Sequence, residues 1–222
     1  MIQRKIIVFG ALGFLTIYGY PQVPAARDTE LTRKLSAIPR SDSASSQFAA
    51  ILRAVRVPGG IAYTHAGCSG ETKRDLPAME GLTAAQALDA LAAVEGPYRW
   101  DRVDGAILML PTEGAPALLQ SSIDAVHLSD VSNLNISLQE LLDTQEVVAA
   151  MKRLDLAFQG FRGGFAKLNR NSPKPSPKPL DLRGVTLLQG LNRVAREHGV
   201  AVWAYDQYEC PGHSFQLTFV SQ

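Results

Sequence analysis

Two short motifs in this 222-residue chain carry residue types that bind zinc. His65-x-x-Cys68 and Cys210-x-x-His213 are mirror images of one another. Thiolate sulfur and imidazole nitrogen are donors that zinc prefers, so the two loops, if they met, would supply a site of two cysteines and two histidines. Two other readings use the same residues. Cys68 and Cys210 are the only cysteines in the chain, and an even count in an exported protein points to a disulfide. Closing a loop of about 140 residues would constrain the unfolded chain by several kcal/mol in the entropic model. In the third reading both thiols stay unpaired and the short spacing is chance. Apart from this zinc reading, no motif calls for a cofactor.

Other reactive types are scattered. Asp101, Asp104, Asp155 and Asp181 fall in strands and turns, and His127 and His198 are isolated. Phe161-Arg162-Gly163-Gly164-Phe165 lacks the spacing and the Lys-Ser/Thr of a phosphate loop. There is no G-x-S-x-G, H-E-x-x-H or paired-carboxylate motif, so no catalytic residue is nominated and the expectation is a protein that is not an enzyme. An enzyme of unrecognised type is the minor alternative. Trp100 and Trp203 could stack on a ligand, but equivalent strand positions favour core packing. Arg162, Lys167, Arg170, Lys174 and Lys178 form a basic stretch around the sequence NRNSPKPSPKP at 169–179. Its prolines favour an extended, exposed conformation. That suits either docking of an acidic or proline-recognising partner or a plain solvated loop.

The elements that must position these residues occur twice. Residues 80–100 and 183–203 match at a constant offset of 103. Gly81, Thr83, Gln86, Leu88, Ala92, Gly96 and Trp100 meet Gly184, Thr186, Gln189, Leu191, Ala195, Gly199 and Trp203. Such self-similarity is the signature of an internal repeat. Thr83 with Gln86 and Thr186 with Gln189 are capping boxes that start a helix. Leu88, Leu91 and Ala92, and Leu191, Val194 and Ala195, form one helical face in each copy. Gly96 and Gly199 end the helices, strand formers follow, and Asp104-Gly105 marks a hairpin. Upstream, Phe48, Ile51, Leu52 and Val55 predict a helix stopped at Pro58-Gly59-Gly60, then a strand at Ile61–Thr64. In the second half, Ile123–Val131 alternates as a strand, Ser137 with Glu140 reads as a cap for a helix running to about Arg153, and Leu154, Leu156 and Phe158 alternate as a strand.

The expected fold is therefore α+β, with two tandem homologous modules, each a short mixed sheet packed with two helices. The expected boundaries are a signal peptide at 1–25, a polar tether at 26–45, a first module at 46–111, a joint at 112–122 and a second module at 123–222. Arg4 and Lys5 precede an uncharged, mostly apolar run at 6–20, and Val23-Pro24-Ala25-Ala26 offers small residues for cleavage. The run is short for a membrane span, which needs about 20 apolar residues, and an uncleaved anchor is the alternative. Either arrangement puts the body in the periplasm or outside the cell, with no transmembrane span in the mature chain. The formal net charge of +1 provides no drive towards nucleic acid.

These features resemble the secretin and TonB short amino-terminal (STN) domain, in two tandem divergent copies. The residues that carry the resemblance are Gly60-Ile61, Gly81, Thr83, Ala87-Leu88, Tyr98, Trp100, Asp104-Gly105 and Pro111, with Gly184, Thr186, Leu191 and Trp203 in the second half. The resemblance implies a periplasmic α+β module that makes protein–protein contacts without catalysis, accessory to a secretion or TonB-type system. The implied partner is an envelope protein or a second copy of the chain. A metal- or small-ligand-binding periplasmic protein is the alternative.

Overall fold

The structure is a computed structural model that describes residues 29–36, 38, 43–67, 76, 79–160, 176–199, 201–210 and 212–220. The expected signal peptide lies outside these residues, as do Cys68, Arg162, Lys167, Arg170 and Lys174. The first half contains α1 (Ala44–Val55), β1 (Gly59–His65), α2 (Ala84–Glu95), β2 (Tyr98–Val103) and β3 (Ala106–Pro111). The second contains β4 (Ser122–Leu128), α3 (Leu134–Leu142), α4 (Gln145–Arg153), β5 (Ala157–Phe158), β6 (Leu180–Thr186), α5 (Leu187–His198), β7 (Val202–Tyr208) and β8 (Ser214–Val220). Among the described residues, no helix is long and apolar enough to cross a membrane.

Both capping boxes form. The Thr83 and Thr186 hydroxyls accept from the Gln86 and Gln189 amides, each at 3.2 Å, and the glutamine side chains accept from the threonine amides. These bonds satisfy amides that the first helical turn leaves without partners. Replacing Thr186 with alanine is expected to cost about 1 kcal/mol, read as a lower urea midpoint at unchanged slope.

The fold is mixed α/β, as the sequence pattern predicts. The strands of the two halves do not close into separate sheets, however. They lie in one six-stranded sheet, ordered β2-β3-β1-β7-β8-β5, while β4 and β6 form a separate two-stranded ribbon. Within the first half β2 is antiparallel to β3, and β3 is parallel to β1. Within the second half β7 is antiparallel to β8, and β8 is parallel to β5. The halves meet where β1 runs parallel to β7, from Gly59 opposite Val202 to His65 opposite Tyr208.

The two faces of this sheet carry different helices. Ile61, Tyr63, Ile107 and Met109 pack with α1 and α2, in a core that also takes Val202 and Ala204 of β7. Trp203, Tyr205, Phe215 and Leu217 pack on the other face with α3, α4, α5 and the ribbon, in a core that takes Ala62 and Leu108 of the first half. Thus the second half repeats the strand order of the first after a half-turn about a line running across the strands. Its helices therefore land on the opposite face. Each half completes the other's core, and each large apolar side chain buried there contributes about 1.5–3 kcal/mol relative to exposure.

Small details recur as well. Arg56 and Asp155, the residues that turn the chain out of α1 and α4, both take positive φ (58° and 51°). Val57 then donates to the Leu52 carbonyl and Leu156 to that of Met151. Thr186 pairs with Ser122 at the end of the ribbon, and Thr83 makes an isolated bridge with Lys34. Among the described residues of the first half, the counterpart of the ribbon is one bridge.

The long helix expected to end at Arg153 is two helices. Its cap is Asn133, whose side chain accepts from the Ile136 amide, and not Ser137. Ser137 instead donates to the Asp130 carbonyl, and Glu140 accepts from the Ser129 amide and hydroxyl. The break at Thr144 resets the helical phase, and α4 buries Val147 and Ala150.

Candidate functional site

The Trp100 and Trp203 positions define the chain's most informative pair of sites. In each half the helix preceding the strand holds the indole. Trp203 Nε1 donates to Asn192 Oδ1 of α5 at 2.8 Å, and Trp100 Nε1 donates to Asp89 Oδ1 of α2 at 2.7 Å. Asp89 and Asn192 stand at the same offset of 103 as the tryptophans. The indoles are therefore tethered alike, each to a residue eleven positions earlier.

Their surroundings differ. Trp203 is fully buried. Its ring lies over Gly60, its register partner on β1. A Cβ at Gly60 would fall onto the indole atoms Cε2, Cζ2 and Cδ2. Hydrogen at this position is thus a packing requirement of the joint, since any larger side chain needs space the ring occupies. Trp100, by contrast, lies on the strand that ends the sheet and is partly exposed. The flanking Arg99 and Asp101 are exposed. In the sheet order, β2 has β3 on one side, as β7 has β8, but β1 occupies only the free side of β7.

A second cluster gathers at the carboxyl ends of β1 and β7. His65 Nε2 lies 3.0 Å from Asp206 Oδ1, with both side chains mostly buried. The His65 ring stacks on Tyr208 with centroids 5.0 Å apart and on Tyr63 at 5.9 Å. Tyr63 in turn meets Tyr98 at 5.1 Å. Burial holds the Tyr98 hydroxyl above its ordinary pKa, offset in part by a hydrogen bond with the Thr64 backbone. Tyr205 is raised further, by burial and by the neighbouring Asp206 charge.

The residues nominated for metal binding are only partly drawn together. The Glu209 amide donates to the His65 carbonyl, which brings the start of the Cys210 turn to the end of β1. His65 spends its Nε2 on Asp206, and Cys210 is half-buried, with no disulfide partner among the described residues. His213 is exposed just before β8, and its carbonyl accepts from the Ala157 amide. Among the described residues, no three His, Cys, Asp or Glu side chains are grouped to hold a metal ion. Cys68, needed for both the zinc and the disulfide expectations, lies outside those residues.

Of the basic stretch, Lys178 is described. Its Nζ donates to the Glu197 carbonyl at 2.7 Å and pairs with the Glu197 carboxylate at 3.0 Å. The Lys178 ammonium hydrogen-bonded at the carboxylate holds the Glu197 carboxyl below its ordinary pKa. Beside it, burial pushes the His198 pKa down, and the Lys178 charge adds to the effect. His198 Nδ1 is buried without a hydrogen-bond partner. A histidine pKa depressed by folding means that the unfolded chain binds the proton more readily. Stability is then fully present above about pH 6.5 and falls as pH drops through the lower folded value. The urea midpoint is expected to fall more between pH 8 and pH 5 for the parent chain than for His198→Gln; equal falls would contradict this assignment.

No family model, curated protein or solved structure matches this chain.

Sequence inspection places Trp100 and Trp203 at equivalent positions but misses the difference between them. The missed signals are Gly60, which reads as a helix stop, and the Asp89/Asn192 pair, which falls inside the repeated stretch.

Proposed function

We propose that this chain is a non-catalytic, exported protein–protein interaction module of the bacterial cell envelope, built from two tandem STN-like copies. The observation that carries the proposal is the β2 edge. It repeats the edge of β7 that β1 covers within the chain, and among the described residues it stands at the end of the sheet. An open strand offers a row of backbone donors and acceptors, which native proteins cover, charge or use for binding. Here Arg99, Asp101 and Arg102 punctuate the edge. Such charges suppress indiscriminate pairing and leave room for a matched partner. The export address rests on the basic, apolar and small-residue order of residues 1–26.

The test is site-specific photocross-linking in intact host cells. A photoreactive residue at Arg99 is expected to capture one envelope protein, while the same residue at exposed Ile136 on α3 captures none. Equal capture from both positions, or none from Arg99, would overturn the proposal.

A further inference from the structure

The joint between the halves shows what the free edge is shaped to receive. We infer that β2 takes a parallel strand from a partner protein, with a glycine directly opposite Trp100; this inference rests on the interaction-module reading and specifies its partner. In the joint, seven residues of β1 pair in parallel with β7, and Gly60 stands opposite Trp203. The pairing begins with the Gly59 amide donating to the Ala201 carbonyl. At the free edge the counterpart of Ala201, at the offset of 103, is Tyr98.

The indole sets the requirement. Trp203 is tethered to α5 through Asn192 and roofs the strand beside β7. Trp100 is tethered to α2 through Asp89 by the same bond at the same spacing. Its ring therefore projects towards the lane that β1 fills in the joint. The incoming strand must run beneath that ring. A side chain there would collide with the indole or force it off Asp89, whereas glycine lets the backbone pass.

The chain's own β5 does not meet the requirement. By the turns that follow α1 and α4, Arg56 corresponds to Asp155 and Val57 to Leu156. Gln159 then stands in the place of Gly60. Among the described residues no strand pairs with the outer side of β5, which closes the opposite end of the sheet, and the Ala157 and Gln159 amides donate to the His213 and Phe215 carbonyls. Counted from those turns, the β5 residue set against Trp100 is Gln159, whose side chain already bonds Ser214 and Gln216 of β8 and stands where the ring calls for glycine. A different protein, with glycine at the register position, is the occupant that fits.

The probe is a synthetic peptide with the sequence of residues 57–65, the strand that performs this pairing within the chain. It is titrated into the full chain labelled with 5-fluorotryptophan, the two fluorine resonances being assigned with Trp100→Phe. A saturable shift of the Trp100 resonance is expected, with the Trp203 resonance unmoved because β1 already fills the joint. A peptide carrying Gly60→Ala is expected to bind at least about tenfold more weakly. Equal binding of the two peptides, a shift that does not saturate, or a response confined to Trp203 would overturn the inference. The two readings fail separately. Partner capture at Arg99 without glycine discrimination would leave the interaction module standing and overturn the Trp100–glycine pairing. Loss of capture would remove the module reading itself.

Discussion

Gly60→Ala is expected to destabilise the protein by about 3 kcal/mol, at the upper end for an added methyl in a packed core. The added carbon would lie within the Trp203 indole. Relief is blocked on every side. The ring is fully buried and fixed to Asn192. The Gly60 backbone is paired with Leu108 of β3 on one side and with Trp203 of β7 on the other. The strain therefore falls on the pairing that unites the halves, and the loss appears as a lower urea midpoint. Gly67→Ala is the control, because a Cβ there meets nothing within 4 Å among the described residues. It should leave the midpoint nearly unchanged. Similar stabilities for the two variants would contradict the close packing of Trp203 on β1.

The second large effect is a contrast between the two tryptophans. Trp203→Ala removes a fully buried ring and leaves Asn192 Oδ1 without its donor. A loss of about 3–5 kcal/mol is expected, from the lost burial and the cavity it leaves. Trp100→Ala removes the equivalent ring where it is partly exposed and hydrogen-bonded to an exposed carboxylate. Its cost is expected to stay near 1 kcal/mol, closer to a surface substitution. Paired denaturation curves give the comparison. If Trp100→Ala proved as damaging as Trp203→Ala, the Trp100 ring would be filling a core and could not be waiting for a strand.

Much of this was legible in the sequence because it is local. A capping box needs only residues three apart, so both helix starts could be placed at Thr83 and Thr186 from the sequence alone. The hairpin at Asp104-Gly105 and the apolar faces of α2 and α5 follow equally short-range rules. The union of the halves follows no such rule. A parallel partner is fixed by packing across long sequence separations, and the β1–β7 pairing joins residues 59–65 to 202–208. Pro58-Gly59-Gly60 reads as a helix stop, yet both glycines begin a strand, because a side chain at Gly59 would meet Ile107 and Leu52 and one at Gly60 the Trp203 indole. The α3–α4 break is hidden for a related reason. Ser137 and Glu140 have the spacing of a cap, but their side chains bond to the loop before the helix. The His65–Asp206 pair was also unreadable, since it spans 141 positions and depends on strand register.

The central claim, that β2 is an open edge awaiting a strand, is tested most directly by amide hydrogen exchange on the purified full chain, followed residue by residue. The Tyr98 and Arg102 amides of β2 donate locally, to the Gly96 carbonyl and the Asp101 carboxylate, so the outward Trp100 amide is the probe: it is expected to exchange at a rate close to that of exposed backbone, while the amides of β7, covered on both sides by β1 and β8, exchange only on global unfolding. Adding the 57–65 peptide should then slow exchange in β2 alone. Strong protection of the β2 edge in the isolated protein would contradict the account, because the chain would already be covering the surface assigned to a partner.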